Sequence, residues 1–179
     1  MALTLLRHTT PDGHAGLCYG RLNLDLADSF FEEAHAALTA IGEIASIYSS
    51  PLSRCLRLAE YIAEQRGLSV TVEPQLIEMD FGRWEGRPWA DLPREELNAW
   101  AEDFMHARPH GGESVAMLRD RTSMALTEIS RSELGNTALC VTHSGVIKAA
   151  MADGDQSSNY DLAVPFGGHV TWHGKGSCS

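Results

Sequence analysis

The fold is decided by the first eight residues, Met1-Ala2-Leu3-Thr4-Leu5-Leu6-Arg7-His8, in which a short apolar run ends directly in an arginine and a histidine. The run predicts a buried β-strand over Ala2–Leu6. In open α/β folds, ligands bind outside the carboxyl ends of the strands, so Arg7 and His8 are expected at a binding edge. Arginine offers a forked positive charge that suits phosphate, and histidine offers a neutral nitrogen near neutral pH. The pair indicates a histidine that meets a phosphoryl group, although an Arg-His pair also occurs by chance.

The rest of the chain alternates between short apolar runs and helical patterns. The other predicted strands are Ala45–Ser49, Ser69–Glu73, Thr137–Thr142 and His169–Trp172. Between them, apolar residues recur at helical spacing in segments that begin at Phe30, Cys55, Leu97, Val115 and Val146. This alternation predicts an α/β fold, a three-layer sandwich with a mostly parallel central sheet flanked by helices. We expect one domain over residues 1–173 and a disordered tail over residues 174–179.

Composition limits the classes of function. The chain has 179 residues, of which 44% are hydrophobic and 21% charged, as in soluble globular proteins. Its net charge of −10 argues against general binding of nucleic acid or of anionic membranes. It still allows an anionic small molecule as the partner, provided that some of the 14 lysines and arginines are concentrated in one cleft.

Targeting and metal-binding signals are not visible in the sequence. The chain shows no signal peptide and no apolar stretch near the roughly 20 residues of a membrane span, so a cytoplasmic location is expected. The cysteines form no CxxC pair and are expected to be free thiols: Cys18, Cys55, Cys140 and Cys178. His106 and His110 lie in a loop and make a metal pair conceivable, but loop histidines without further ligands are usually only loop residues.

Two more predicted strands end in groups that suit phosphate. The segment Ser49-Ser50-Pro51-Leu52-Ser53-Arg54 passes from a strand to the start of a helix, and so does Thr142-His143-Ser144-Gly145. Helix N-termini present free N–H groups that favour anions. Arg54 taken alone also fits a solvated helix arginine, and a lone histidine is more often structural than catalytic. Two histidines at equivalent strand ends, His8 and His143, indicate a functional site much more strongly than one histidine does.

The loop Ile77-Glu78-Met79-Asp80-Phe81-Gly82-Arg83-Trp84-Glu85-Gly86 mixes carboxylates, aromatic residues and glycines without a clear period. A glutamate in such a loop is a candidate for proton transfer. The pattern is equally typical of an acidic side chain on the protein surface.

Taken together, these segments resemble the histidine phosphatase superfamily, the phosphoglycerate-mutase-like branch of α/β folds. The match covers the chain from Leu3 to about Trp172 and includes a fifth segment, Gly111-Gly112-Glu113-Ser114-Val115. The resemblance implies that His8 is the nucleophile of a phosphomonoesterase and forms a phosphohistidine. It also implies that Arg7, Arg54 and His143 surround the phosphoryl group and that Glu78 is the proton donor, ahead of Asp80 and Glu85. No metal or other cofactor is implied.

Within the superfamily, Arg7-His8-Thr9-Thr10-Pro11 and Cys18-Tyr19-Gly20-Arg21 are most similar to the α-ribazole phosphatases of cobalamin assembly. Mutases usually carry Gly and Glu after the histidine, so Thr9 and Thr10 favour a phosphatase. The expected substrate is α-ribazole 5′-phosphate or its cobamide form. The candidate substrate-binding residues are Tyr19, Gly20, Arg21, Glu113, Ser114, Ser144 and Gly145. Arg83 and Trp84 are placed at the mouth of the site, unless Trp84 and Trp89 simply pack the loop onto the domain.

Other functions stay open at this stage. A phosphoglycerate mutase would return the phosphoryl group to a sugar acid, and a broad-specificity phosphatase shares most of the same motifs. A protein phosphatase would need an open, shallow cleft. A non-catalytic domain that only binds a phosphorylated ligand would be expected to lose His8 or Glu78, and both are present. A homodimer is one candidate assembly.

Overall fold

The apolar run that opens the chain forms strand β1, which pairs with a neighbour on each side in a five-stranded sheet. The computed structural model describes residues 2–133 and 137–174. Residues 175–179, with Cys178 and most of the predicted tail, lie outside the described residues. The strands are β1 (Leu3–Arg7), β2 (Leu17–Cys18), β3 (Ser46–Ser49), β4 (Val70–Val72), β5 (Arg87–Pro88), β6 (Ala138–Thr142) and β7 (His169–Trp172). The helices are α1 (Phe30–Ala40), α2 (Ser53–Arg66), α3 (Arg94–Glu102), α4 (Val115–Ser132) and α5 (Ser144–Met151).

The sheet has the order β4-β3-β6-β1-β7, and its first four strands run parallel. Only β7, at one edge, runs antiparallel to its neighbour β1. In the β1–β6 pair Arg7 lies beside Thr142, so the next residues, His8 and His143, leave the sheet at the same edge. The backbone N–H of His8 donates to the Thr142 carbonyl at 3.0 Å and extends this pairing by one residue. The end of β3 reaches the same edge, because Ser49 lies beside Val141.

Alternate residues of the strands fill two separate cores. Leu5 and Cys140 face one core, which includes apolar residues of α4 and α5. Leu6 and Leu139 face the other core, which includes apolar residues of α1 and α2. Because both faces of the central strands are covered, all five residues of β6 are buried. The three-layer α/β sandwich predicted from the alternation is therefore confirmed.

The predicted strands and helices are present, with small shifts at their ends. Helix α3 ends at Glu102, so Phe104, which shares its apolar spacing, lies beyond it. The short antiparallel pair β2–β5 was not predicted, since two-residue strands show no alternation. Within the described residues no helix is long and apolar enough to cross a membrane. Three cysteines, Cys18, Cys55 and Cys140, are buried free thiols.

Removing the Leu139 side chain tests the role of β6 in the core. Leu139 is fully buried between Thr4 and Ile47 of the neighbouring strands. Leu139→Ala leaves a cavity and is expected to lower the free energy of unfolding by about 2–5 kcal/mol in urea unfolding. Met124→Ala on the exposed face of α4 is the control, with an expected change of about 0.5 kcal/mol or less. Equal effects of the two substitutions would contradict this assignment of the core.

Candidate active site

His8 is held as a neutral ring at the end of β1. Its side chain is 1% exposed, and Nδ1 lies 2.7 Å from the Thr9 carbonyl oxygen. A carbonyl only accepts hydrogen bonds, so Nδ1 carries the proton and Nε2 keeps its lone pair. Burial is the largest cause that holds the pKa of His8 well below 6.5, followed by the positive charge of Arg54. This acceptor could not be predicted from the sequence, because every type of residue supplies a backbone carbonyl.

His143 stands beside His8 at the start of α5. The two ring centres are 5.2 Å apart. The Nε2 atom of His143 lies 2.7 Å from the Ser50 hydroxyl oxygen and 3.4 Å from the Cys55 sulfur. Burial and the charge of Arg54 lower the pKa of His143 well below 6.5. Ser50, which belongs to the segment at the end of β3, thus fixes His143, a role that we did not assign from the sequence.

Arg54 is buried beside the two histidines. Its two terminal nitrogens donate to the carbonyl oxygens of Leu22, at 2.8 Å, and Gly20, at 2.6 Å. Its Nε–H is buried and has no partner among the described residues. Burial lowers the pKa of Arg54. The alternative of a solvated helix arginine is therefore wrong, and an unpaired donor on a buried cation indicates a site for an anion.

Arg7 also combines a contact to a backbone carbonyl with a buried N–H that has no partner in the described part of the chain. One terminal nitrogen donates to the Val164 carbonyl at 2.7 Å, and the guanidinium carbon lies 3.9 Å from the centre of the Phe166 ring. Its Nε–H is buried and, within residues 2–133 and 137–174, also lacks a partner. The two arginines and the two histidines thus meet at one edge of the sheet, as the sequence predicted.

Glu78 is held at the N-terminus of α5. Its carboxylate accepts the backbone N–H groups of Met79 and Gly145, each at 3.0 Å. A Cβ atom at Gly145 would collide with the carboxylate, so only glycine allows this approach. We expected the Gly145 N–H to be a donor toward phosphate, but it holds Glu78 instead.

Asp80 and Glu85, the two other acids considered for proton transfer, accept hydrogen bonds from the backbone of loops. The Asp80 carboxylate accepts the Gly82 N–H at 2.7 Å. Glu85 accepts three backbone N–H groups at 2.8–3.0 Å, those of Arg21, Leu22 and Phe81. Neither residue lines the cavity described next. Of the three acids, only Glu78 lines that cavity.

A cavity of about 500 Å³ adjoins this cluster through Arg7 and Glu78. It is lined by aromatic and apolar side chains, with a few polar and charged groups. The predicted Ser144 and Gly145 line it, together with Phe81, Trp89, Trp100, Phe104, Lys148, Tyr160 and Asp161. Most of the wall was not predicted, because its residues come from separate loops and helices that fold toward one space.

The predicted residues of the first loop support the arginines and stand outside the cavity wall. The Gly20 carbonyl anchors Arg54, and the Tyr19 ring centre lies 5.1 Å from the Arg54 guanidinium carbon. Arg21 lies 3.7 Å from the Asp80 carboxylate and 3.6 Å from that of Glu113. The first loop is thus tied to the Glu78 loop.

Glu113 and Ser114 were predicted as substrate-binding residues, and the structure gives them structural contacts instead. Glu113 is 6% exposed and pairs with Arg121 at 2.7 Å. The Ser114 hydroxyl accepts the Met117 N–H at 3.2 Å and caps α4. Neither residue lines the cavity.

Two roles were left open for Trp84, lining the mouth of the site and packing the loop onto the domain, and the structure shows the second. Trp84 is fully buried, and its indole N–H donates to Glu96 at 2.6 Å. Arg83 is exposed and pairs with the same carboxylate at 2.9 Å. Trp89 lines the cavity and so does more than pack the loop.

The two loop histidines differ in their surroundings. His106 is exposed, whereas His110 is buried and its Nδ1 accepts the Gly112 N–H at 3.0 Å. Across the part of the chain that the structure describes, no three side chains of His, Cys, Asp or Glu are grouped to hold a metal ion.

Comparisons with known proteins agree with this geometry. A family model described as the histidine phosphatase superfamily (branch 1) matches residues 3–161. The chain is 30% identical over 158 residues to the adenosylcobalamin/alpha-ribazole phosphatase of Escherichia coli (strain K12), covering 85% of this chain and 78% of that protein. It is 31% identical over 157 residues to phosphoserine phosphatase 1 of Hydrogenobacter thermophilus, covering 82% and 72%. A mycobacterial glucosyl-3-phosphoglycerate phosphatase, solved with VO3, superposes with a TM-score of 0.82 at 30% identity and covers 95% of this chain and 91% of that one.

The buried neutral histidines predict how stability depends on pH. The folded protein keeps His8 and His143 unprotonated below pH 6.5, whereas the unfolded chain protonates them near that pH. The contribution of the two neutral histidines to the free energy of unfolding should therefore be fully present above pH 6.5. It should fall as the pH drops below 6.5 toward the pKa values of the two histidines in the folded protein. Each histidine contributes up to about 1.4 kcal/mol per pH unit in that window, measured by urea unfolding between about pH 7.5 and about pH 5.5. His110, whose pKa is lowered by burial, acts in the same direction.

A matched pair of variants separates the effect of a buried histidine on the pH dependence of stability from the effect of an exposed one. His143→Gln should reduce the dependence of stability on pH, whereas His106→Gln in the exposed loop should leave it unchanged. If the two variants depend on pH equally, burial of His143 is not the cause.

Proposed function

The chain belongs to the histidine phosphatase superfamily (branch 1), and from this premise we propose that it is a metal-independent phosphomonoesterase acting through a phosphohistidine. The observation that carries the proposal is His8, a buried ring whose Nδ1–H is bound to the Thr9 carbonyl, which leaves Nε2 free to attack. Nucleophilic catalysis divides one difficult displacement into two easier ones. The named relatives are phosphatases, which supports this class of reaction.

In the first step, Nε2 of His8 attacks phosphorus, so that a P–N bond forms as the P–O bond to the alcohol breaks. Glu78 gives its proton to the leaving oxygen. The phosphoryl oxygens carry negative charge throughout, and the unpaired N–H groups of Arg7 and Arg54 supply donors to them. We place His143 beside the same oxygens, because its ring is 5.2 Å from that of His8.

In the second step, the Glu78 carboxylate takes a proton from water as the water oxygen attacks phosphorus. The P–N bond breaks, inorganic phosphate leaves and His8 returns to its neutral form. The charge on the phosphoryl group is neutralised by arginines, so the reaction needs no divalent ion and should continue in the presence of a chelator.

The finer proposal for the substrate is α-ribazole 5′-phosphate or its cobamide form. It rests on the resemblance carried by Thr9, Thr10 and the first loop, and the aromatic wall of the cavity suits a flat base. Similar relatives are named for phosphoserine and for glucosyl-3-phosphoglycerate, so a substrate panel must include phosphate esters of those classes.

Removing the nucleophile tests the covalent route. His8→Ala should abolish release of phosphate from phenyl phosphate, because no phosphohistidine can form. Rapid acid-free quenching of the wild type followed by mass spectrometry should find one added phosphoryl group on the peptide that contains His8. His106→Ala is the control and should keep wild-type turnover. Turnover by His8→Ala near that of the wild type, or strict dependence of the wild type on added metal, would contradict the proposal.

Removing the proton donor tests Glu78. Glu78→Gln should slow hydrolysis of an alkyl phosphate by about 10²–10⁴-fold, because the leaving alkoxide then lacks its proton. The loss should be smaller with 4-nitrophenyl phosphate, whose leaving group is stable without protonation. Asp80→Asn is the comparison and should mainly affect loop stability, since its carboxylate holds the Gly82 N–H. An equal loss with both esters would exclude Glu78 as the proton donor.

A further inference from the structure

Glu78, the proposed proton donor, lies in a segment without helix or strand, residues 77–81. Its carboxylate accepts the Gly145 N–H, but this contact can aim the side chain only where the main chain of Glu78 is itself held in place. We propose that Arg121 of α4 is a positioning residue, which fixes the main chain at Glu78 and so directs the carboxylate toward the leaving oxygen. This inference rests on the proposed phosphatase activity and adds a residue outside the cavity wall.

The Arg121 guanidinium joins α4 to two points of the main chain near the proton donor. One terminal nitrogen donates to the Glu78 carbonyl at 3.1 Å, and the other donates to the Gln75 carbonyl at 2.6 Å. A carbonyl outside helices and strands has no regular main-chain partner, so a side-chain donor can hold it. Arg121 therefore fixes this part of the chain at Glu78 itself and three residues before it.

Glu113 fixes the Arg121 side chain in turn. Its two carboxylate oxygens accept Nε–H and one terminal N–H of Arg121, at 2.7 and 2.9 Å. Glu113 is buried and the Arg121 side chain is 14% exposed, and a paired contact of this kind specifies one geometry. The main-chain N–H of Glu113 also donates to the Asp80 carbonyl at 2.8 Å. The Glu113–Arg121 pair thus holds the chain on both sides of Glu78.

Arg21 gives the Glu78 carbonyl a second donor, from the first loop. Its Nε–H donates to that carbonyl at 3.3 Å, and a terminal nitrogen lies 3.6 Å from the Glu113 carboxylate. The Arg21 side chain is more exposed than that of Arg121, so we expect its contact to contribute less. Two arginines therefore meet at the main chain of the proposed proton donor, and neither lines the cavity. Both would act on the substrate only through Glu78.

Proton transfer depends closely on where the carboxylate lies. A general acid must come within hydrogen-bond reach of the oxygen that it protonates, about 2.6–3.2 Å. A displacement of about 1 Å can slow a reaction by about 10²-fold. Without the Arg121 contacts, the Glu78 carboxylate keeps the N–H groups of Met79 and Gly145, but its main chain is free to shift. The cost should fall on the step in which a poor leaving group needs a proton.

Arg121→Lys tests the proposal while the positive charge is kept. Lysine leaves Glu113 with a cationic partner, but its compact ammonium group cannot replace the fork and also hold both carbonyls. The charge must be kept because Arg121, after burial, Arg54 and His8, helps to lower the pKa of His143. The ratio of kcat/KM for ethyl phosphate to that for 4-nitrophenyl phosphate should fall by about 10–100-fold, because the alkoxide depends on the proton far more.

A double variant separates positioning from a merely structural role. Glu78→Gln combined with Arg121→Lys should give the same ratio as Glu78→Gln alone, within about twofold, because no proton donor is left to position. A further fall of the ratio in the double variant would overturn the inference, and so would an equal loss with both esters in Arg121→Lys. Arg131→Lys, at an exposed position in the last turn of α4, is the matched control and should keep the wild-type ratio.

Arg21→Gln is the second variant, and it keeps the proposal testable if circular dichroism shows that Arg121→Lys does not fold. It removes the weaker donor and should lower the ratio by about threefold. If no folded variant lowers the ratio below that of Arg131→Lys, while 4-nitrophenyl phosphate is hydrolysed with dependence on His8, this inference is wrong and the phosphatase proposal stands. If Glu78→Gln itself affects both esters equally, or the wild type hydrolyses neither, the proposed function fails.

Discussion

The parallel pairing of β1 with β6 is the constraint on which the site depends. This register places Arg7 beside Thr142, so His8 and His143 leave the sheet together with their rings 5.2 Å apart. A slip of one residue would move every side chain of β1 to the opposite face and separate the rings. Leu3 and Leu5 fill one core and Leu6 the other, so the packing that stabilises the sheet also fixes this register. The chemistry thus depends directly on the hydrophobic pattern of the first strand.

Burial keeps the two histidines of the cluster neutral. A histidine nucleophile must be unprotonated, and burial together with two nearby arginines lowers the pKa values of both rings. The same burial lowers the stability of the folded protein at the two arginines, because a buried cation needs hydrogen-bond partners. Backbone carbonyls of Gly20, Leu22 and Val164 provide some of them, and the buried Nε–H of each arginine has no partner among the described residues. A bound phosphoryl group would complete the set, so the energy stored in unsatisfied donors becomes binding energy for the substrate.

The sequence predicted the parts of the fold and site that a local pattern determines. Arg7, His8 and His143 follow apolar strands, so their shared edge could be predicted from the chain alone. The Thr9 carbonyl and the Ser50 hydroxyl could not, since each acts through a contact made only after folding. The aromatic residues show the same limit. Trp84 stands in the loop that carries Glu78, yet it is fully buried and its N–H donates to Glu96 of α3, whereas Trp100, from the same helix, lines the cavity.

Helix α5 connects the histidine cluster with the adjoining cavity. His143 directly precedes its first residue, the Gly145 N–H in its first turn holds Glu78, and Lys148 in its last turn lines the cavity. The groups that we propose to meet phosphate are fixed by backbone atoms and by the sheet edge, so their positions tolerate little change. The rest of the cavity wall is built from side chains of separate loops and helices, so under the proposed function a substitution there would change the contacts to the alcohol while His8 stays in place. Specificity can therefore vary on this scaffold while the phosphoryl-transfer site stays the same, and that separation explains why the motifs around His8 determine the reaction more firmly than the substrate.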